Sequence, residues 1–114
     1  MANNFKNAFA TSVSTSSGSP TTVYTANNGS AVNSILIELD VANTGSSAIT
    51  ATVQIYDNSA TTSYHVVKDA PIPAGGALKI VSGQKLVLNG DDEVRVYASA
   101  SDVDVICSIL EDVS

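Results

Sequence analysis

The sequence predicts an all-β chain: a single antiparallel β-sandwich of seven or eight strands, jelly-roll or immunoglobulin-like, behind an extended N-terminal arm. Three observations predict it. From about Val32 onward, apolar and polar residues alternate in one short run after another, the period-two signature of strands with one dry and one wet face. Gly, Asn, Asp or Pro separates the runs at the close spacing of a small sandwich or barrel. The composition is rich in Ser, Thr, Val, Ala and Asn and poor in Glu, Lys, Leu and Met, which suits pleated surfaces and turns better than helices. At 114 residues the chain makes one domain, large enough for a real core without disulfides or metal.

Residues 1–20 read as a flexible arm and residues 21–114 as the sandwich domain. The run Thr11-Ser-Val-Ser-Thr-Ser-Ser-Gly-Ser-Pro20 is polar and of low complexity, with too little apolar area to fold alone. Ahead of it lie both phenylalanines of the protein, Phe5 and Phe9, four apart, a spacing that puts them on one side of a short helical turn. Two aromatic side chains on a polar arm need cover. They either plug an end of their own sandwich or anchor on a neighbouring subunit.

The strands follow in order. Thr21–Thr25 is the first, closed by a turn at Asn27-Asn-Gly-Ser30. The second runs from Ala31 to Ala42, with Ile35, Ile37, Leu39 and Val41 on the inner face and Ser34, Glu38 and Asp40 on the outer. It ends at Asn43-Thr-Gly-Ser46, a hairpin signal. Ile49 to Asp57 is the third, and Ser63 to Lys68 the fourth; Pro71-Ile-Pro-Ala-Gly-Gly76 then breaks the pairing. Ala77 to Ser82 and Gln84 to Leu88 are two strands, or one bent at Gly83. After Asn89-Gly-Asp-Asp92, Glu93 to Ala100 places Val94, Val96, Ala98 and Ala100 inward, and Val103 to Glu111 is the last strand. There Val103, Val105, Cys107 and Ile109 share one face while Ile106 and Leu110 sit on the other. Leu36 similarly interrupts the polar face of its strand. An outer face carrying Leu36, Ile106 and Leu110 is an apolar patch of the kind that marks protein contact, covered by Phe5 and Phe9 or by a partner.

A net charge of −6 argues against nucleic acid and anionic membranes as partners, because neither can be gripped without a basic surface. No apolar run approaches the length of a membrane span and no signal-peptide core opens the chain, so synthesis in the cytoplasm is expected. Cys107, the single cysteine, has no intrachain partner and falls at an inward strand position. His65, the single histidine, has Asp57 and Asp69 near it in sequence but no nucleophile in an elbow-like setting. No catalytic residue, cofactor or metal is expected. The acidic loop Asp91-Asp-Glu93, with Asp102 and Asp104, leaves calcium open, although it lacks the ligand spacing of a dedicated calcium loop. With no tryptophan, a glycan-binding module would have to stack sugars on tyrosines, Tyr56 and Tyr97 being the outward candidates.

Several stretches taken together carry a family resemblance. An Asn-Phe-Lys-Asn arm precedes Thr-Thr-Val-Tyr-Thr-Ala, then a long apolar strand ending in Val41-Ala-Asn-Thr44, then Thr-Val-Gln-Ile-Tyr-Asp. Pro71-Ile-Pro-Ala-Gly-Gly76 leads to Leu78-Lys-Ile-Val81, and Lys85-Leu-Val-Leu-Asn-Gly-Asp91 to Glu93-Val-Arg-Val-Tyr-Ala98. This ordered set resembles the small virion structural proteins of tailed bacteriophages, especially those infecting marine cyanobacteria. The resemblance implies a non-enzymatic β-sandwich that coats or joins parts of the particle. Its expected role is capsid decoration on the major capsid protein lattice, or else a neck, tail or baseplate component. It further implies virion proteins as partners; homo-oligomers in the particle are also expected, with the contacts made by the residues singled out on the arm and strands, Phe5, Phe9, Leu36, Ile106 and Leu110.

Overall fold

A computed structural model describes residues 4–26 and 33–113. Eight strands are found among them: β1 (Asn4–Thr11), β2 (Thr21–Thr25), β3 (Asn33–Asn43), β4 (Ile49–Asp57), β5 (Thr62–Ile72), β6 (Ala77–Leu88), β7 (Glu93–Ala98) and β8 (Val103–Val113). They form two antiparallel four-stranded sheets, ordered β1-β8-β3-β6 and β2-β7-β4-β5. Every connection passes from one sheet to the other except the β4–β5 hairpin. Of the two expected sandwich types, this is the jelly roll.

The topology corrects two readings. Asn43–Ser46 is not a hairpin: β3 and β4 lie in different sheets, and the turn is a corner. Asn43 holds that corner from a buried position. Its Nδ2 donates to the carbonyls of Ser47 (2.8 Å) and Ile72 (3.2 Å), and its Oδ1 accepts from Gly45 N–H (2.9 Å). The fourth strand of the sequence reading also does not stop at Lys68. β5 continues through Pro71, which is tolerated because β5 is a sheet edge and proline needs no ladder partner on its open side. Beyond it, Gly76 N–H donates to the Pro73 carbonyl (2.9 Å) across a turn in which Gly75 takes φ 72°, a conformation that costs glycine nothing. The expected Asn27–Ser30 turn lies outside the described residues.

Residues 4–20 lie along the sandwich. β1 pairs with β8 without interruption, from Asn4↔Glu111 to Thr11↔Asp104. The next residues cross between sheets: Ser12 N–H donates to the Val103 carbonyl (3.0 Å) and Ala98 N–H to the Ser14 carbonyl (3.0 Å). Val13, between them, is buried in the core. The helical turn expected for Phe5 and Phe9 is a strand instead.

The core fills the space between sheets with Leu36, Leu39, Val41, Val81, Leu88, Val103, Val105, Cys107 and Ile109 from one side. Tyr24, Ile49, Ala51, Val53, Ile72, Val94, Val96 and Ala98 come from the other. Tyr24 carries a polar tie across it, its hydroxyl bonding to Ser34 Oγ (3.2 Å) and donating to the Glu111 carboxylate. Glu111 in turn pairs with Lys6 of β1 (3.7 Å).

Leu36 is the main correction among the expected contact residues. It is fully buried, 0% exposed. The cause is a register shift: from Leu36↔Leu86 to Glu38↔Ser82, β3 advances two residues while β6 advances four, and the β3–β8 register also shifts there. Such a bulge switches the phase of alternation along a strand. Ser34 and Leu36 therefore point inward before it, Leu39 and Val41 after it. Ile35 and Ile37, expected inside, are only half-buried.

Candidate functional site

The outer face of the β1-β8-β3-β6 sheet gathers most of the exposed apolar side chains. Phe5 (81% exposed), Phe9 (63%), Val87 (64%) and Ile106 (47%) are on it, and among the described large hydrophobics only Tyr64 is comparably exposed elsewhere. Register explains the grouping. Phe5 lies opposite Leu110, Leu110 opposite Ile35, and Ile35 opposite Val87. One apolar row thus crosses all four strands. Four residues along, Phe9 lies opposite Ile106, but that row continues into Asp40 and Lys79. Between the two runs Asn7, Ser108, Glu38 and Ser82. With about 4.8 Å between strands and 3.3 Å per residue, the apolar part is an L about 14 Å on each arm.

The rest of the face is charged. Lys79 Nζ sits 3.2 Å from Glu38 Oε2 and 3.6 Å from Asp40 Oδ2; the Glu38 hydrogen bond, with both carboxylates, raises its pKa. Asp40 Oδ1 is buried with no hydrogen-bond partner among the described residues. Two shallow hollows flank the phenylalanines. One of about 330 Å³ is bounded by Phe9, Ala10, Thr11, Asp104, Val105 and Ile106. The other, about 280 Å³, is bounded by Phe5, Lys6, Asn7, Ser108 and Ile109.

Of the five expected contact residues, four come together here: Phe5 beside Leu110 and Phe9 beside Ile106. Leu36 does not, and its place on the face is taken by Ile35. Ile35 and Val87 were missed by sequence reasoning. Val87 left a signal, since Leu86-Val-Leu88 is apolar on both faces of its strand. Ile35 left none without the bulge.

The other candidate groups are occupied structurally. His65 is exposed on the opposite sheet, its Nε2 3.2 Å from Gln54 Nε2. Asp57 caps its own turn, accepting from the Ser59 hydroxyl (2.8 Å) and amide (3.0 Å); the hydroxyl bond is the main cause of its lowered pKa. Asp69 sits at a β5 bulge (φ 52°), where its N–H donates to the buried Thr52 hydroxyl (3.0 Å). In the acidic loop, Asp92 is buried and its two oxygens accept from Asn58 N–H (3.1 Å) and Asn89 N–H (3.0 Å). Glu93 accepts from Arg95 Nε (2.8 Å) and Thr22 Oγ1 (2.9 Å), and the Arg95 bond chiefly holds its pKa down. No cluster of three potential metal ligands occurs among the described residues. The Arg95 guanidinium lies 3.9 Å from the Tyr56 ring centroid, covering a ring face that sugar stacking would need. Burial of Cys107, with Asp40 adding a smaller push, raises its thiol pKa to about 12, so it stays protonated and inert.

No protein-family model matches the chain, and no curated protein matches it. Among solved structures, the chain is similar to one from the structure of infectious bursal disease virus Gx strain, at 13% identity and a TM-score of 0.35. That alignment covers 95% of this chain and 40% of the other, so this chain spans about two fifths of its length.

Proposed function

We propose that this protein is a non-enzymatic structural component of a tailed-phage virion, acting first as a capsid decoration protein seated on the major capsid protein lattice. The observation that carries the reading is the apolar L of Phe5, Leu110, Ile35 and Val87 with Phe9 and Ile106. Exposed phenylalanines beside two shallow hollows suit side-chain interdigitation with another protein. The ordered sequence resemblance to small phage virion proteins supports the same role, and the jelly roll is an architecture used by capsid domains, a fold-level analogy only. Net negative charge favours solubility before assembly, and weak contacts repeated over a lattice add by avidity.

The test is copy number in purified virions, by quantitative mass spectrometry against the major capsid protein. Near parity supports decoration. A number lower by about tenfold or more moves the protein to the neck, tail or baseplate, since lattice avidity needs many copies. Absence from virions overturns the virion role. Phe5→Ser combined with Ile106→Ser should reduce incorporation while the domain stays folded.

A further inference from the structure

Among the described residues the two sheets have four open edges, β1, β6, β2 and β5, and three of them carry features that resist addition of another strand. β6 has Lys79 and Lys85, the latter at φ 58° beside a register shift. β5 has Pro71, positive φ at Asp69 and two register shifts. β2 is five residues long and irregular at Thr22/Tyr24. Bulges, proline, lysine and shortness are the usual means of blunting an edge. β1 has no proline and no bulge and runs for eight residues in unbroken register; its one lysine, Lys6, is paired with Glu111 of the neighbouring strand.

The geometry points to β1 as a self-pairing edge through which two copies of this chain join their sheets. Ser12 N–H bonds the Val103 carbonyl. By the alternation of antiparallel ladders, the even-numbered residues of β1 therefore face β8, while Phe5, Asn7 and Phe9 aim their main-chain groups at the open side. Antiparallel pairing about a two-fold axis at Asn7 sets Phe5 against Phe9 of the second copy, and Phe9 against Phe5. All three positions then exchange bonds, about six in total. The four rings meet on one face and join the apolar L of each copy. Lys6 falls opposite Ala8, not opposite another cation. Rings of about 150–250 Å² each, already part-covered, supply roughly half of the ~1,200 Å² of a small stable interface, and the paired strands add to it. The inference stands whether or not the partner surface is viral.

Sedimentation of the full chain from about 1 to 200 µM tests it, a range spanning the weak affinities of small interfaces. A monomer–dimer equilibrium is expected, strengthening with salt because each copy carries −6. Asn7→Lys places two like charges at the axis and should weaken the dimer by about tenfold or more, with an unchanged melting curve. Asn7→Cys should link two chains under mild oxidation, since paired residues there sit about 5.5 Å apart, within disulfide reach. Phe9→Cys should not, its two copies lying about 13 Å apart. A monomer throughout the range overturns the inference. So does a dimer that ignores Asn7→Lys and responds to Val87→Ser, which would place the contact on the sheet face. Neither result bears on the virion copy number.

Discussion

Replacing Leu36 by alanine tests the register shift that separates the core from the outer face. Leu36 is fully buried opposite Ile109 and Leu86. The substitution removes three carbons, worth about 2.4 kcal/mol at ~0.8 kcal/mol per methylene. A residual cavity of about 50 Å³ adds roughly 1 kcal/mol, giving a loss of about 3.5 kcal/mol. In a domain of this size that lowers the melting temperature by about 15 °C. Ile35→Ala, one residue earlier but on the half-covered outer face, should cost about 1 kcal/mol or less. Urea unfolding followed by circular dichroism measures both, and the slope should not change. If Leu36→Ala costs under about 1 kcal/mol while Ile35→Ala costs above 2, the strand has the opposite phase and the assigned face is wrong.

Three further outcomes follow from buried polar groups and from the exposed rings. Asn43→Ala breaks three hydrogen bonds at the β3–β4 corner and strands two carbonyls; a loss of about 2–3 kcal/mol is expected in the same urea assay. Cys107 keeps its proton to about pH 12 in the folded chain, against an ordinary 9.0. Between these values the unfolded chain binds fewer protons, so stability falls as pH rises, by up to about 1.4 kcal/mol per pH unit. Cys107→Ala should flatten that slope relative to the parent, and the native thiol should resist thiol reagents at pH 8 until urea unfolds the chain. Phe5→Ser with Phe9→Ser should leave dilute monomer stability within about 0.5 kcal/mol, because both rings are exposed; a large loss would show that the rings pack in the monomer.

How far the sequence could be read depends on whether the deciding contact is local. β7 and the start of β8 alternate cleanly, and their inner residues were assigned correctly from the residues alone. Phe5 and Phe9 share a face at a spacing of four in either a helix or a strand, so the pattern could not choose. The choice was made by the open edge of β8. Asn43-Thr-Gly-Ser46 encodes a reversal of the chain, but whether the next strand returns to the same sheet depends on packing elsewhere. The phase of Leu36 depends on the extra residues that β6 holds opposite it. This is why four expected contact residues assemble on one face, while the fifth exchanged places with Ile35.

Pairing between β1 and β8 also sets a timetable. Thr11 and its partner Asp104 are 93 residues apart, and at ~5–20 residues per second a ribosome needs roughly 5–20 s to make the intervening chain. For that interval β1 has two bare edges instead of one, with both phenylalanines in the open. On a polysome, neighbouring nascent chains would present the same self-complementary strand to each other. Closure of the sheet is then a race between a distant contact within the chain and a nearby one between chains.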